Sequence, residues 1–134
     1  MKKILLILFT FFFLTKAQSS TDYKKVYFAG GCFWCMEEAY DEFDGVISSI
    51  SGYSGGELKN PKYEDVIYKD TGHVEAVEIT YDPNKISYER LLEIFWLNID
   101  PFDAEGQFCD KGKSYRSVIF YENEEQKKMI DKSF

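Results

Sequence analysis

The sequence predicts a single α+β domain, a two-layer sandwich with helices packed on one face of an antiparallel sheet. Three observations lead there. At 134 residues the chain is long enough for one hydrophobic core and too short for two. Its composition, 45% hydrophobic and 29% charged with three prolines, is that of a folded globule and not of a disordered chain. Apolar periodicity then switches between about 2 and about 3.6 residues in the order strand, helix, strand, strand, helix, strand. That βαββαβ order suits a ferredoxin-like core with a split βαβ unit.

Residues 1–17 stand apart as an expected export signal. Lys2 and Lys3 supply the positive end, Ile4 to Leu14 form an apolar run broken by Thr10, and Thr15 and Ala17 offer a cleavage site before Gln18. An eleven-residue run falls short of the ~20 residues that span a bilayer. Residues 18–134 are then the single folded domain, with a periplasmic or extracellular location expected. Cleavage removes three of the 16 basic residues (Lys2, Lys3, Lys16) and none of the 23 acidic ones, taking the net charge from −7 to −10. So acidic a surface argues against a nucleic-acid partner. No long heptad or exposed apolar strand argues against a monomer.

The first strand is expected over Lys25–Ala29, running into Gly30-Gly31. A helix follows from Cys32 to Phe43, with Phe33, Met36, Tyr40 and Phe43 at helical spacing, and Gly45 stops it. Val46–Tyr53 reads as the second strand and His73–Tyr81 as the third and clearest. Asp82-Pro83-Asn84 turns the chain, and Ser87 caps a helix carrying Leu91, Leu92, Phe95 and Trp96. Tyr115–Tyr121 is the last expected strand, and Asn123 with Gln126 opens a final helix through a capping-box pattern. Two stretches, Ser54–Gly72 and Asp100–Ser114, read as irregular. Connections that long usually carry function, so both are expected to wall the active site.

The chemistry concentrates at Gly30-Gly31-Cys32-Phe33-Trp34-Cys35. A cysteine at the first turn of a helix faces unpaired backbone N–H groups and the positive end of the dipole, which favours the thiolate. The glycines let the chain turn sharply and leave the sulfur exposed, so Cys32 is a better nucleophile than Cys35, one turn deeper. The bland alternative is a small buried thiol filling core space. Phe33 fits the core stripe; Trp34 does not, and is expected to face a pocket. In the third strand Glu75 shares a face with Val77, Ile79 and Tyr81. A carboxyl group on that apolar side is held neutral by desolvation and suits a proton donor; a merely solvated Glu75 beyond the core edge is the competing reading. Three cysteines (Cys32, Cys35, Cys109) are an odd number for an exported chain and suggest redox work. With His73, the only histidine, they could in principle form a Cys₃His zinc site, but only Cys32 and Cys35 have clamp spacing, and no metal is expected. A thioredoxin-like disulfide oxidoreductase built on Cys32-x-x-Cys35 is a rival, weakened because Pro61, Pro83 and Pro101 each sit better in turns than opposite a dithiol.

Gly31-Cys32-Phe33-Trp34 resembles the signature of the A-type peptide methionine sulfoxide reductases, which act on the S epimer of the sulfoxide. The likeness continues through Gly52-Tyr53-Ser54-Gly55-Gly56, Asn60-Pro61-Lys62-Tyr63-Glu64-Asp65-Val66, Thr71-Gly72-His73-Val74-Glu75, Asp100-Pro101, Cys109-Asp110 and Ser114-Tyr115-Arg116-Ser117. The resemblance implies an α/β sandwich in which Cys32 is the nucleophile. It further implies that Phe33 and Trp34 receive the sulfoxide methyl group, Glu75 donates the proton, and Tyr63 and Tyr115 bind the oxygen. Asp110 matches an active-site aspartate. The reaction so implied needs no bound cofactor. Cys32 becomes a sulfenic acid, a second thiol condenses with it, and an external dithiol such as a thioredoxin-like reductant regenerates both. Oxidised proteins and peptides are the implied substrates.

The sequence departs from the family pattern at Cys35, where many relatives have glycine, and at Cys109, where many have asparagine. Many relatives also place their recycling cysteine in a C-terminal tail, and this chain ends at Phe134, short of the family's usual final segment. Both spare cysteines are candidates to resolve the sulfenic acid. Cys35 lies one helical turn from Cys32; Cys109 adjoins Asp110 and is favoured on the expectation that it moves with its loop.

Overall fold

A computed structural model describes residues 22–134; the expected export signal at residues 1–17 lies outside them. In chain order the elements are β1 (Lys24–Ala29), α1 (Phe33–Asp41), β2 (Val46–Ser54), α2 (Tyr63–Tyr68), β3 (Val74–Tyr81) and α3 (Tyr88–Leu97). The two-residue strands β4 (Gly106–Gln107) and β5 (Asp110–Lys111) follow, then a 3-10 turn (Lys113–Tyr115), β6 (Val118–Phe120) and α4 (Glu124–Ser133). The main sheet has the order β2-β3-β1-β6 with every neighbouring pair antiparallel. Counting only its four strands, that is the order 2-3-1-4 expected of a βαββαβ core, and the predicted α+β sandwich stands.

Strand alternation explains where the core lies. Val26 and Phe28 of β1 and Val77, Ile79 and Tyr81 of β3 project to one face and are all buried. Phe33, Met36 and Tyr40 of α1 and Leu91, Leu92, Ile94 and Phe95 of α3 cover them. Phe28 sits at the centre, with its ring 5.4 Å from Phe95 and 5.9 Å from Tyr40. The Tyr40 hydroxyl donates to the Leu91 carbonyl at 3.0 Å, so the phenol ties α1 to α3 without leaving a buried polar atom unpaired. The opposite face carries a smaller cluster, Ala29, Val74 and Ala76 with Val118 and Phe120 against it. Ser87 caps α3 as expected, its Oγ accepting the Arg90 N–H at 3.1 Å, and Asn123 caps α4 by accepting the Gln126 N–H at 2.9 Å.

The structure corrects three expectations. Ser54–Gly72 is not wholly irregular, because α2 occupies Tyr63–Tyr68. Asp100–Ser114 contains the β4–β5 hairpin, whose turn is Phe108-Cys109. The last strand begins at Val118 and not at Tyr115: the Tyr115 N–H bonds back to the Gly112 carbonyl at 3.0 Å, which coils that residue into a turn.

Candidate active site

The approach to α1 requires glycine for a physical reason. Gly31 has φ +87°, and a Cβ built there would stand 2.6 Å from the Gln107 Cβ. The backbone at Gly31 therefore turns in a left-handed conformation directly against the β4–β5 hairpin. Gln107 is almost fully buried, and its side chain holds the hairpin in place: Oε1 accepts the Asp100 N–H at 2.6 Å and Nε2 donates to the Asp100 carbonyl at 2.9 Å. Cys32 is the N-cap residue of α1, with an extended ψ of 117°, and its carbonyl accepts the Met36 N–H at 3.2 Å. Cys32 thus sits at the start of the helix, as expected, but it is only partly exposed. Cys35, expected to lie deeper, is the more exposed of the two because the first turn of α1 turns it toward solvent.

Glu75 is the decisive placement. It lies on the helix-covered face of β3, is 2% exposed, and its Oε2 accepts the Phe33 N–H at 3.0 Å. That N–H is one of the unpaired donors at the start of α1, so the carboxyl group reaches the same helix end as Cys32. Burial pushes the Glu75 pKa up, the Phe33 hydrogen bond works against this, and the nearby charge of Asp110 adds to the rise. The solvated reading of Glu75 is excluded.

Around this pair stand the aromatic residues. Phe33 is buried with its ring 5.3 Å from Trp34 and 5.6 Å from Tyr53, while Trp34 is 64% exposed. Tyr53 is the cross-strand partner of Glu75 in the β2–β3 ladder. Burial, and after it the Glu75 charge, raises its pKa. Tyr115, in the 3-10 turn, has its pKa pushed well up by burial first, then by the Glu75 charge and by hydrogen bonding with Tyr63, with Asp110 contributing. Tyr63 opens α2. Cys32, Phe33, Trp34, Tyr63, Glu75, Asp110 and Tyr115 therefore converge from five segments.

The cysteines divide. Cys35 stands in the first turn of α1 and is exposed; its pKa is raised first by its interaction with Cys32, then by burial and by the charges of Cys32, Asp110 and Glu38. Cys32 and Cys35 are both free thiols. Cys109 sits exposed in the β4–β5 turn. His73 is committed to structure: Nδ1 accepts the Gly56 N–H at 3.2 Å, and the Nε2 side of the ring faces the Leu58 carbonyl at 2.9 Å. It cannot ligate metal without giving up one of these. Among the described residues, no group of three or more His, Cys, Asp or Glu could hold a metal ion.

Sequence reasoning singled out neither Tyr53 nor Gln107 as a site residue. Tyr53 lies on a strand whose alternation is imperfect, and the register that sets it beside Glu75 is a tertiary fact. For Gln107 the neighbouring Gly106 was the available signal, since a glycine inside a long loop marks a close backbone approach. A Cβ built on Gly106 would collide with the Asp110 carbonyl oxygen.

A family model described as peptide methionine sulfoxide reductase matches residues 24–134. The chain is 56% identical over 110 residues to the peptide methionine sulfoxide reductase MsrA of Streptococcus agalactiae serotype III (strain NEM316), a match covering 82% of this chain and 65% of that protein. It is 55% identical over 106 residues to the protein of the same name from Bacillus subtilis (strain 168), covering 79% of this chain and 60% of the relative. The crystal structure of Mxr1 from Saccharomyces cerevisiae in reduced form superposes with a TM-score of 0.77 at 30% identity, covering 83% of this chain and 66% of that one. Methionine sulfoxide reductase A of Corynebacterium diphtheriae gives a TM-score of 0.77 at 26% identity, covering 85% and 57%. The chain thus spans under two thirds of the length of these relatives.

Proposed function

This chain belongs to the peptide methionine sulfoxide reductase family, and on that premise we propose that it reduces the S epimer of methionine sulfoxide in proteins to methionine. The observation that carries the reading is the buried Glu75 carboxyl bonded to the Phe33 N–H at the helix end that bears Cys32.

A sulfoxide sulfur is electrophilic only when its oxygen is protonated or strongly hydrogen-bonded. The raised pKa of Glu75 favours its neutral, donating form. The raised pKa of Tyr115 likewise keeps that phenol a donor, and Tyr63 adds a second hydroxyl beside it. The Cys32 thiolate attacks sulfur, the sulfoxide oxygen takes the proton, and collapse releases methionine and leaves Cys32 as a sulfenic acid. Trp34, exposed beside Phe33, offers the apolar surface for the methyl group. A second thiol then condenses with the sulfenic acid, and an external dithiol of the thioredoxin type restores the enzyme.

Two further parts of the reading rest on sequence alone. The leader at residues 1–17 supports export, so the substrates are oxidised envelope or secreted proteins. The acidic net charge supports protein substrates over nucleic acid. The test is reduction of the separated S and R epimers of a methionine sulfoxide peptide with dithiothreitol as reductant. Consumption of the S epimer alone is expected; equal use of both, or of neither by folded protein, contradicts the proposal.

A further inference from the structure

Among the described residues, two other than glycine hold a left-handed backbone: Asn60 at φ 52° and Phe108 at φ 50°. Asparagine tolerates that region because its short amide bonds locally, whereas a bulky aromatic there is an outlier that costs conformational energy. Phe108 recovers little of that cost by burial, since it is 65% exposed. We propose that Phe108 is a specificity-determining residue: an apolar platform at the lip of the active site that receives an apolar side chain flanking the methionine sulfoxide in a peptide substrate. The proposal rests on the reductase reading of the site and adds to it a preference among peptides.

The position of Phe108 is fixed by its neighbours. Phe108 and Cys109 form the two-residue turn of the β4–β5 hairpin, with Phe108 at the first central position. Turns of that length take a positive φ there and favour glycine, asparagine or aspartate. Gln107, just before it, bonds twice to Asp100 and packs where a Cβ of Gly31 would stand, one residue before Cys32. The Gly112 N–H closes the hairpin base on the Glu105 carbonyl at 2.7 Å. Gln107 and Asp110 are directly opposed in the ladder, so their side chains share a face. That face borders the site, because the charge of Asp110 acts on Glu75, Tyr115 and Cys35. Phe108 is the tip of this pinned hairpin, and the 64% exposed Trp34 adds apolar surface in the first turn of α1.

A strained side chain that does little for folding is kept for what it does at a site. The sulfoxide enters the site, but the residues on either side of it in a peptide stay outside and meet the lip. Methionine is often buried in native proteins, so an unfolded oxidised segment brings apolar neighbours with it. Covering part of one such side chain on the Phe108 ring should favour binding by on the order of tenfold. A flanking glycine offers nothing to cover, and free methionine sulfoxide has no flanking residue at all.

The experiment measures kcat/KM with dithiothreitol for two methionine S-sulfoxide peptides, identical except that the sulfoxide is flanked on both sides by leucine or by glycine. Wild type should prefer the leucine peptide by on the order of tenfold, mainly through KM. Phe108→Asn suits the left-handed turn and removes the ring. Its preference should fall to near one through loss on the leucine peptide alone, with the melting temperature no lower than wild type. Phe108→Tyr keeps the ring and should keep the preference. Turnover without preference in wild type, or a preference that survives in Phe108→Asn, overturns the proposal. So does an equal loss on both peptides, which would make Phe108 a structural residue only. Failure of folded wild type to reduce either peptide would instead sink the reductase reading, and the proposal with it.

Discussion

Glu75→Gln isolates the proton donor from the nucleophile. The substituted amide can still accept the Phe33 N–H through its carbonyl oxygen, so the bond at 3.0 Å survives and the packing of a 2% exposed side chain is nearly unchanged. What is lost is a transferable proton. A positioned general acid typically contributes 10²–10⁴-fold. Here Tyr115 and Tyr63 remain as hydrogen-bond donors, so the loss should fall near the lower end, about 10²-fold or roughly 2.7 kcal/mol of barrier. The assay is single-turnover methionine release without reductant, so that recycling does not mask the chemical step. The pH dependence follows from the raised pKa of Glu75. Its protonated form persists above the usual carboxylate range, so wild-type rate should fall as pH rises through the raised value, and the variant should lack that limb. Stability carries the same sign. A carboxyl raised in the folded state contributes stability that is full below its unfolded pKa and lost as pH rises through the folded one. The variant's melting temperature should therefore gain on wild type as pH increases. A variant within threefold of wild-type rate, or one keeping the same alkaline limb, would refute the role given to Glu75.

Two further substitutions probe the surroundings. Trp34→Ala removes an exposed side chain, so stability should change by less than about 0.5 kcal/mol, while KM for a methionine sulfoxide peptide rises several-fold; unchanged KM would remove Trp34 from substrate binding. Gly31→Ala forces a Cβ at φ +87° and 2.6 Å from Gln107. It should cost more than about 1 kcal/mol in urea unfolding and shift the β4–β5 hairpin, whereas a neutral result would show that the turn tolerates a side chain.

The parts of this molecule legible in sequence are those set by local periodicity and capping. Phe33, Met36 and Tyr40 at helical spacing, Ser87 before its apolar run, and the alternation from Glu75 to Tyr81 each specify an element and a face. Glu75 was readable because a carboxylate in phase with Val77, Ile79 and Tyr81 conflicts with its neighbours. α2 was not readable as a helix, since its six residues bury only Val66 and offer no periodic stripe; Pro61 near its start and Glu64 and Asp65 in its first turn were the faint signals. The β4–β5 hairpin has strands of two residues, too short for alternation to register. Tyr53 beside Glu75, and Gln107 against Gly31, depend on register and long-range packing that spacing along the chain does not encode.

The central claim is that the Cys32 sulfur performs the reduction, and the most direct measurement compares wild type with Cys32→Ser in single-turnover methionine release from a methionine S-sulfoxide peptide. Wild type should release about one methionine per chain and the folded variant none above background. Methionine released by Cys32→Ser at the wild-type level would contradict it.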